Sequence, residues 1–72
     1  MTVLLEERLE DGKIALLTMN RPEALNALNT EMAFALYEAM ERLSDEASVR
    51  VIVVTGAGEK AFCTGGDFKE RN

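Results

Sequence analysis

A helical segment lies between two short, mostly aliphatic runs, and this order limits the fold more than any other feature of the sequence. The runs cover residues 14–19 and 49–55 and predict β-strands. The segment between them predicts a helix with one apolar stripe, whose residues recur at intervals of three or four. These residues are Met32, Leu36, Met40 and Leu43. A helix that connects two strands in this way implies a right-handed crossover and an α/β architecture.

The sequence before the helix predicts a β-hairpin. Residues 3–9 have strand character, and Asp11-Gly12 is a strong signal for the turn that follows. The returning strand, residues 14–19, is almost continuously apolar, which predicts burial on both of its faces. Pro22 ends that strand because it lacks the N–H needed for strand pairing.

The start of the helix and the end of the chain also carry signals. Residues 23–28 form a loop or a short helical turn in this prediction, and Asn29 or Thr30 then caps the helix. After the last strand come a glycine turn and, at residues 67–72, the first turns of another helix. We therefore expect residues 1–72 to be the N-terminal part of a single longer domain, with the order β-β-α-β.

Composition and charge exclude several classes of function. The net charge of −5 leaves no basic patch for nucleic acid. No apolar run approaches the ~20 residues of a membrane helix, and the N-terminus lacks the basic segment of a signal peptide. Since the single Cys63 cannot form an internal disulfide, we expect a reducing compartment, the cytoplasm. The sequence has no histidine, which removes Ser-His-Asp and Cys-His catalysis, and we expect no metal site.

The glycine pair Gly65-Gly66, followed by Asp67, is the strongest candidate for a site of chemistry. Two glycines let a ligand approach bare backbone N–H groups, since no Cβ stands in the way. If Asp67 begins a helix, the unbonded amides of its first turn point in the same direction and favour negative charge. Backbone donors aimed at one point form an oxyanion site for a reacting carbonyl.

Two neighbouring motifs have less support. Residues 56–61 match the start of a dinucleotide fingerprint, G-x-G-x-x-G/A, but that fingerprint must open a helix, and residues 62–66 have loop or strand character. Cys63 has no histidine to activate it as a nucleophile, so a buried and inert side chain is the favoured interpretation.

Four charged residues are candidates for functional groups. Asp67 and Glu70 could form a pair of general acids or bases, but their positions favour a helix cap. For Lys13 and Arg21 we expect solvated surface positions, because neither lies in a phosphate-binding loop.

Taken together, these residues closely resemble the N-terminal part of the crotonase superfamily, the enoyl-CoA hydratases and isomerases. Residues 17–28, LTMNRPEALNAL, are similar to a strand followed by the family pattern N-R-P-x-x-x-N-A-L. Residues 51–56, VIVVTG, are similar to its next strand and glycine turn, and residues 61–67, AFCTGGD, to its A-F-x-x-G-x-D. The resemblance implies an α/β fold, the crotonase-like spiral of stacked β-β-α units, of which this truncated chain supplies the first.

The resemblance also implies a substrate and a site. The substrate is a coenzyme A thioester, with no separate cofactor, and the backbone N–H of Gly66 is the first donor of the oxyanion hole. The segment at Ala24 and Leu25 lies along the coenzyme A, the backbone near Thr64 meets its adenine, and Phe68 borders the acyl pocket. The implied substrate-binding residues are Ala24, Leu25, Thr64, Gly65, Gly66, Asp67 and Phe68.

The resemblance predicts that the rest of the machinery lies elsewhere in a longer parent. In the family, the second oxyanion donor, the catalytic glutamates and the surface that forms trimers or hexamers lie in later sequence, so we expect these 72 residues alone to be inactive. Glu23 stands where some members carry a lysine near the coenzyme A phosphates, which puts that contact in doubt. Two alternatives stay open. One is another crotonase reaction, such as thioester hydrolysis, decarboxylation, or isomerisation of dienoyl or ring-derived acyl-CoAs; the other is a non-catalytic fragment that associates with itself.

Overall fold

The computed structural model describes residues 3–58, 63 and 65, and these form one sheet with a helix packed on it. The elements in chain order are β1 (Leu4–Leu9), β2 (Ile14–Met19), a short 3-10 turn (Pro22–Ala24), α1 (Thr30–Ser44) and β3 (Val51–Gly56). The predicted order β-β-α-β is therefore confirmed.

The central strand of the sheet is β2, which pairs with both neighbours. It runs antiparallel to β1, with Leu4 opposite Met19 and Leu9 opposite Ile14. It runs parallel to β3, with Ile14 opposite Val51. Parallel neighbours need a crossover connection, and α1 supplies it. The predicted hairpin and the predicted crossover helix are both present.

Only one face of β2 is fully buried, so the prediction of burial on both faces is wrong. Ala15 and Leu17 are completely buried against Ala39 and Leu43 of α1. The alternate residues of β2 are half-buried, and Leu9 and other aliphatic side chains on the same face of the sheet are exposed. The reason is that α1 covers one side of the sheet, and no other described element covers the opposite side.

The helix begins as predicted, but its predicted stripe is only partly buried, since Leu36 is half-buried and Met40 is exposed. Asn29 is the cap, and its side-chain Oδ1 accepts a hydrogen bond of 2.8 Å from the backbone N–H of Met32. Met32, Ala39 and Leu43 are buried, whereas Met40 is 39% exposed. Ala39 keeps the spacing of one helix face, and Met40 lies about 100° further round the axis. Among the described residues, no helix is long and apolar enough to cross a membrane.

Ion pairs join β1 to α1 and to the segment after α1. The guanidinium of Arg42 makes two hydrogen bonds to the carboxylate of Glu6, at 2.6 and 3.2 Å, and Arg8 lies 2.7 Å from a carboxylate oxygen of Glu46. The hydrogen bond from Arg42 is the main cause that lowers the pKa of Glu6, and that from Arg8 is the main cause that lowers the pKa of Glu46. The pairs are solvent-accessible, so each stabilises the fold only modestly.

The pairing of Glu6 predicts a loss of stability in acid. Because the pKa of folded Glu6 lies below the ordinary glutamate value of 4.5, its contribution is complete above that value and is lost as the pH falls through the folded pKa. We expect Glu6→Gln to lower the urea midpoint slightly at neutral pH and to have no effect at roughly pH 2. Glu7→Gln is the matched control, since Glu7 points to the other face of β1. A Glu6→Gln difference that persists in acid would contradict this assignment.

Candidate functional site

The candidate site lies where β2 and β3 end side by side. Met19 pairs with Gly56 at the last position of the register, and the N–H of Ala57 donates a 2.8 Å hydrogen bond to the carbonyl of Met19. The loop that precedes α1 and the glycine turn that follows β3 both leave from this edge. In open α/β sheets, ligands bind outside the carboxyl ends of the parallel strands.

The loop that follows β2 is closed by its own backbone. Pro22 begins the 3-10 turn, and the N–H of Leu25 donates to its carbonyl over 3.1 Å. The N–H of Asn26 donates to the carbonyl of Arg21 over 2.8 Å, and the Oδ1 of Asn26 accepts from the N–H of Arg21 over 2.9 Å. These hydrogen bonds hold residues 21–26 in one compact loop, which carries Ala24 and Leu25, two of the predicted substrate-binding residues.

Two consecutive residues of this loop have left-handed backbone conformations. The φ angles are 53° at Leu25 and 56° at Asn26. Asparagine tolerates this region, whereas for leucine it costs roughly 1–2 kcal/mol. Such strain persists only where surrounding contacts fix the conformation, and it occurs preferentially at binding sites. Leu25 is also exposed, so the loop presents this strained residue to solvent.

Asn26 ties this loop to the glycine turn after β3. Its side chain is completely buried, and its Nδ2 donates a 2.9 Å hydrogen bond to the carbonyl of Ala57. The motif N-R-P-x-x-x-N-A-L contains Asn26, but the sequence alone does not indicate this role. The available signal was a lone polar residue among Leu25, Ala27 and Leu28, at a loop position where asparagine is suited to a left-handed backbone.

Arg21 is not the solvated surface residue that we expected. It is half-buried, and its Nη1 donates a 2.7 Å hydrogen bond to the carbonyl of Ala27. The guanidinium thus holds the backbone directly after Asn26, where the chain leads towards α1. Lys13 is exposed, as expected.

The glycine turn after β3 packs closely on the same loop. Gly58 has a φ of +91°, and a Cβ at this position would lie 3.0 Å from the Cβ of Pro22. A glycine is thus required here both by the backbone conformation and by the proximity of Pro22. Gly58 is the second glycine of the G-x-G pattern, and this packing explains why it is a glycine without invoking a bound nucleotide.

Gly65, the residue before the predicted oxyanion donor, is held by the loop that precedes α1. The N–H of Leu28 donates a 2.6 Å hydrogen bond to the carbonyl of Gly65. Gly65 has a φ of +98°, and the space around a Cβ there is open. Its own N–H lies 3.4 Å from the Sγ of Cys63. Cys63 is half-buried, not fully buried as we expected.

The structure brings together three of the predicted site residues. Ala24 and Leu25 lie on the compact loop, and the carbonyl of Gly65 accepts a hydrogen bond from Leu28, two residues beyond Asn26. The other predicted residues, Thr64, Gly66, Asp67 and Phe68, lie outside the described residues, as does Glu70. Within the described part of the chain, no three His, Cys, Asp or Glu side chains are grouped to hold a metal ion.

Comparison with known proteins shows the family of this chain. The family model described as Enoyl-CoA hydratase/isomerase matches residues 10–72. (E)-benzylidenesuccinyl-CoA hydratase of Thauera aromatica is 49% identical over 57 residues, which are 79% of this chain and 22% of that protein. The mitochondrial 3-hydroxyisobutyryl-CoA hydrolase of Danio rerio is 41% identical over 58 residues, 81% of this chain and 15% of that protein.

Solved structures show the same relationship. The enoyl-CoA hydratase of Bacillus anthracis is similar with a TM-score of 0.91 and 33% identity, over 97% of this chain and 27% of that one. The chain thus spans about a quarter or less of the length of these relatives. The described elements form a small α/β unit that matches part of a crotonase-fold hydratase, and the chain belongs to the enoyl-CoA hydratase/isomerase family of the crotonase superfamily.

Proposed function

We propose that this chain binds acyl-CoA thioesters and supplies one half of an oxyanion hole, the backbone N–H of Gly66, to a hydratase or isomerase. The observation that carries the proposal is the 2.6 Å hydrogen bond from Leu28 to the carbonyl of Gly65. It joins the loop that holds Ala24 and Leu25 to the glycine segment. Family membership and the names of the relatives, which act on CoA esters, support the substrate class.

The geometry around Gly65 supports a fixed donor. Leu28 holds the carbonyl of Gly65, the residue directly before the proposed donor in the sequence. The open space at Gly65 leaves room for a ligand beside this peptide.

The chemistry needs such a donor. Addition of water to a 2,3-unsaturated thioester, or migration of its double bond, passes through an enolate-like state in which the carbonyl oxygen gains negative charge. A fixed amide dipole stabilises that oxygen without reorganising during the reaction. We place the carboxylates that transfer protons, and the second oxyanion donor, outside these 72 residues. The parent is then a homo-oligomeric cytoplasmic enzyme, and the thioester is its substrate, not a cofactor.

The test is whether binding depends on the thioester carbonyl. We expect the chain to bind butyryl-CoA about 3- to 10-fold more tightly than S-butyl-CoA, because the thioether lacks only the hydrogen-bond acceptor. Titrations of ¹⁵N-labelled chain, followed by amide chemical shifts, give both dissociation constants. Gly66→Pro removes the N–H and is expected to bring the ratio to about 1, whereas Gly66→Ala keeps the N–H and the preference.

Two results would contradict the proposal. One is equal affinity of the unaltered chain for both ligands; the other is a carbonyl preference that survives Gly66→Pro. Hydration of crotonyl-CoA by the purified 72-residue chain, above a Gly66→Pro background, would contradict the narrower claim that the proton-transferring groups lie elsewhere.

Other reactions of the superfamily use the same half-site. The Danio rerio relative is a hydrolase, so a thioester hydrolysis is the second enzymatic candidate for the parent. Decarboxylation and isomerisation of dienoyl or ring-derived acyl-CoAs also pass through a charged thioester oxygen. The binding test above does not depend on which of these reactions follows.

A specific observation also favours a non-catalytic alternative, association of the chain with itself. On the face of the sheet that α1 does not cover, four large aliphatic side chains are 41–49% exposed: Leu5, Leu9, Val51 and Val53. An apolar face of this kind is typical of an interaction surface. Sedimentation equilibrium distinguishes the two functions: a concentration-dependent oligomer without affinity for either CoA ligand favours association, and saturable binding by a monomer favours the acyl-CoA site.

A further inference from the structure

The buried side chain of Asn26 uses both of its polar atoms to join the two loops of the site. Among the described residues it is the one buried polar side chain, with an exposed fraction of 0%. Its Oδ1 accepts from the N–H of Arg21 at 2.9 Å, and its Nδ2 donates to the carbonyl of Ala57 at 2.9 Å. A buried amide that is satisfied on both sides fixes the parts of the chain that it touches.

The backbone that follows Asn26 leads directly to the glycine segment. Ala27 is the only residue between Asn26 and Leu28, and its carbonyl is held by Arg21 at 2.7 Å. Leu28 then donates to the carbonyl of Gly65. A displacement of Asn26 would therefore move the donor that holds Gly65.

We propose that Asn26 is a positioning residue for the oxyanion donor: it sets the direction of the Gly65 carbonyl, and hence the carbonyl preference of the site, through Arg21, Ala57 and Leu28. This inference rests on the proposed function above. Asn26 has a left-handed φ of 56° and needs an acceptor and a donor at once. Aspartate offers only acceptors when ionised, and glycine fits the backbone but offers neither group.

The experiment measures the ratio of the dissociation constants for S-butyl-CoA and butyryl-CoA in three variants of the chain. Asn26→Asp keeps the acceptor for Arg21 and loses the donor to Ala57, and Asn26→Gly loses both. Both are expected to bring the ratio to about 1, because the affinity for butyryl-CoA falls more than the affinity for S-butyl-CoA. Ala39→Gly is the control, because it weakens the buried face of α1 far from the loops. A merely structural role lowers the affinity for both ligands equally and leaves the ratio unchanged, as we expect for Ala39→Gly.

A measurement on the unaltered chain keeps the proposal testable if the Asn26 variants do not fold. Saturation with butyryl-CoA is expected to slow hydrogen exchange at the N–H of Leu28 and at the side-chain amide of Asn26, and S-butyl-CoA is expected to slow it less. Equal protection by the two ligands overturns the proposal. So does a carbonyl preference that persists in both Asn26 variants. A ratio of 1 in the unaltered chain overturns the proposed function together with the role of Asn26. The outcomes above overturn the role of Asn26 alone, so the two failures can be distinguished.

Discussion

Leu17→Ala is expected to lower the free energy of unfolding by about 3–4 kcal/mol. Leu17 is completely buried in the central strand, where it packs with Ala15, Ala39 and Leu43. Two members of this cluster, Ala15 and Ala39, are alanines, whose side chains are too short to fill the space that is left. The substitution therefore creates a cavity as well as removing buried apolar area.

The effect is large relative to the total free energy of unfolding that is expected for a chain of this length. A 72-residue domain is stable by about 4–11 kcal/mol at the usual 0.05–0.15 kcal/mol per residue. Small domains bury only about 60% of their unfolded surface, so there is little redundancy. We expect the urea midpoint of Leu17→Ala to fall by a third or more, with an unchanged slope.

Leu16→Ala is the matched control, one residue away in the same strand. Leu16 is half-buried on the face that α1 does not cover, so its loss is expected to cost clearly less. If the two substitutions cost the same, the second face of the sheet is covered in solution. If the cost of Leu16→Ala also rises with protein concentration, that result would support the self-association described above.

The elements of the fold were predictable because their signals are local. The hairpin turn at Asp11-Gly12, the cap at Asn29 and the strand-helix-strand order each depend on residues near in sequence. The errors came from contacts that the sequence pattern does not specify. Met40 belongs to the predicted apolar stripe by its spacing, but the helix turns Ala39, not Met40, towards the sheet.

The site was predictable only in part, for the same reason. Ala24, Leu25 and Gly65 were identified through the resemblance of their motifs, and the structure brings their segments to one edge of the sheet. The role of Asn26 depends on Ala57, 31 residues later in the chain. The position of Arg21 depends on a loop conformation that folds its guanidinium back on Ala27. Periodicity cannot indicate such pairings, since they arise from tertiary structure.

Gly58→Ala is expected to cost about 2–4 kcal/mol of folding stability and to weaken the site. Two effects add. The φ of +91° is unfavourable for any residue with a Cβ, and the new methyl group would lie 3.0 Å from the Cβ of Pro22. Since Pro22 is a ring fixed at the start of the 3-10 turn, it cannot rotate away, and the loop that carries Ala24 and Leu25 must move.

Gly12→Ala separates the two effects. Gly12 has a similar φ of +86°, but a Cβ there meets nothing within 4 Å, so only the backbone term of about 1 kcal/mol is expected. A double-mutant cycle tests the contact itself: in a Pro22→Gly background, which removes the facing Cβ, the cost of Gly58→Ala should fall to that of Gly12→Ala. Equal costs for Gly58→Ala and Gly12→Ala in the unaltered background would mean that the two loops are not in close contact. In that case the carbonyl preference should be unaffected by Gly58→Ala, whereas close packing predicts that stability and preference decline together.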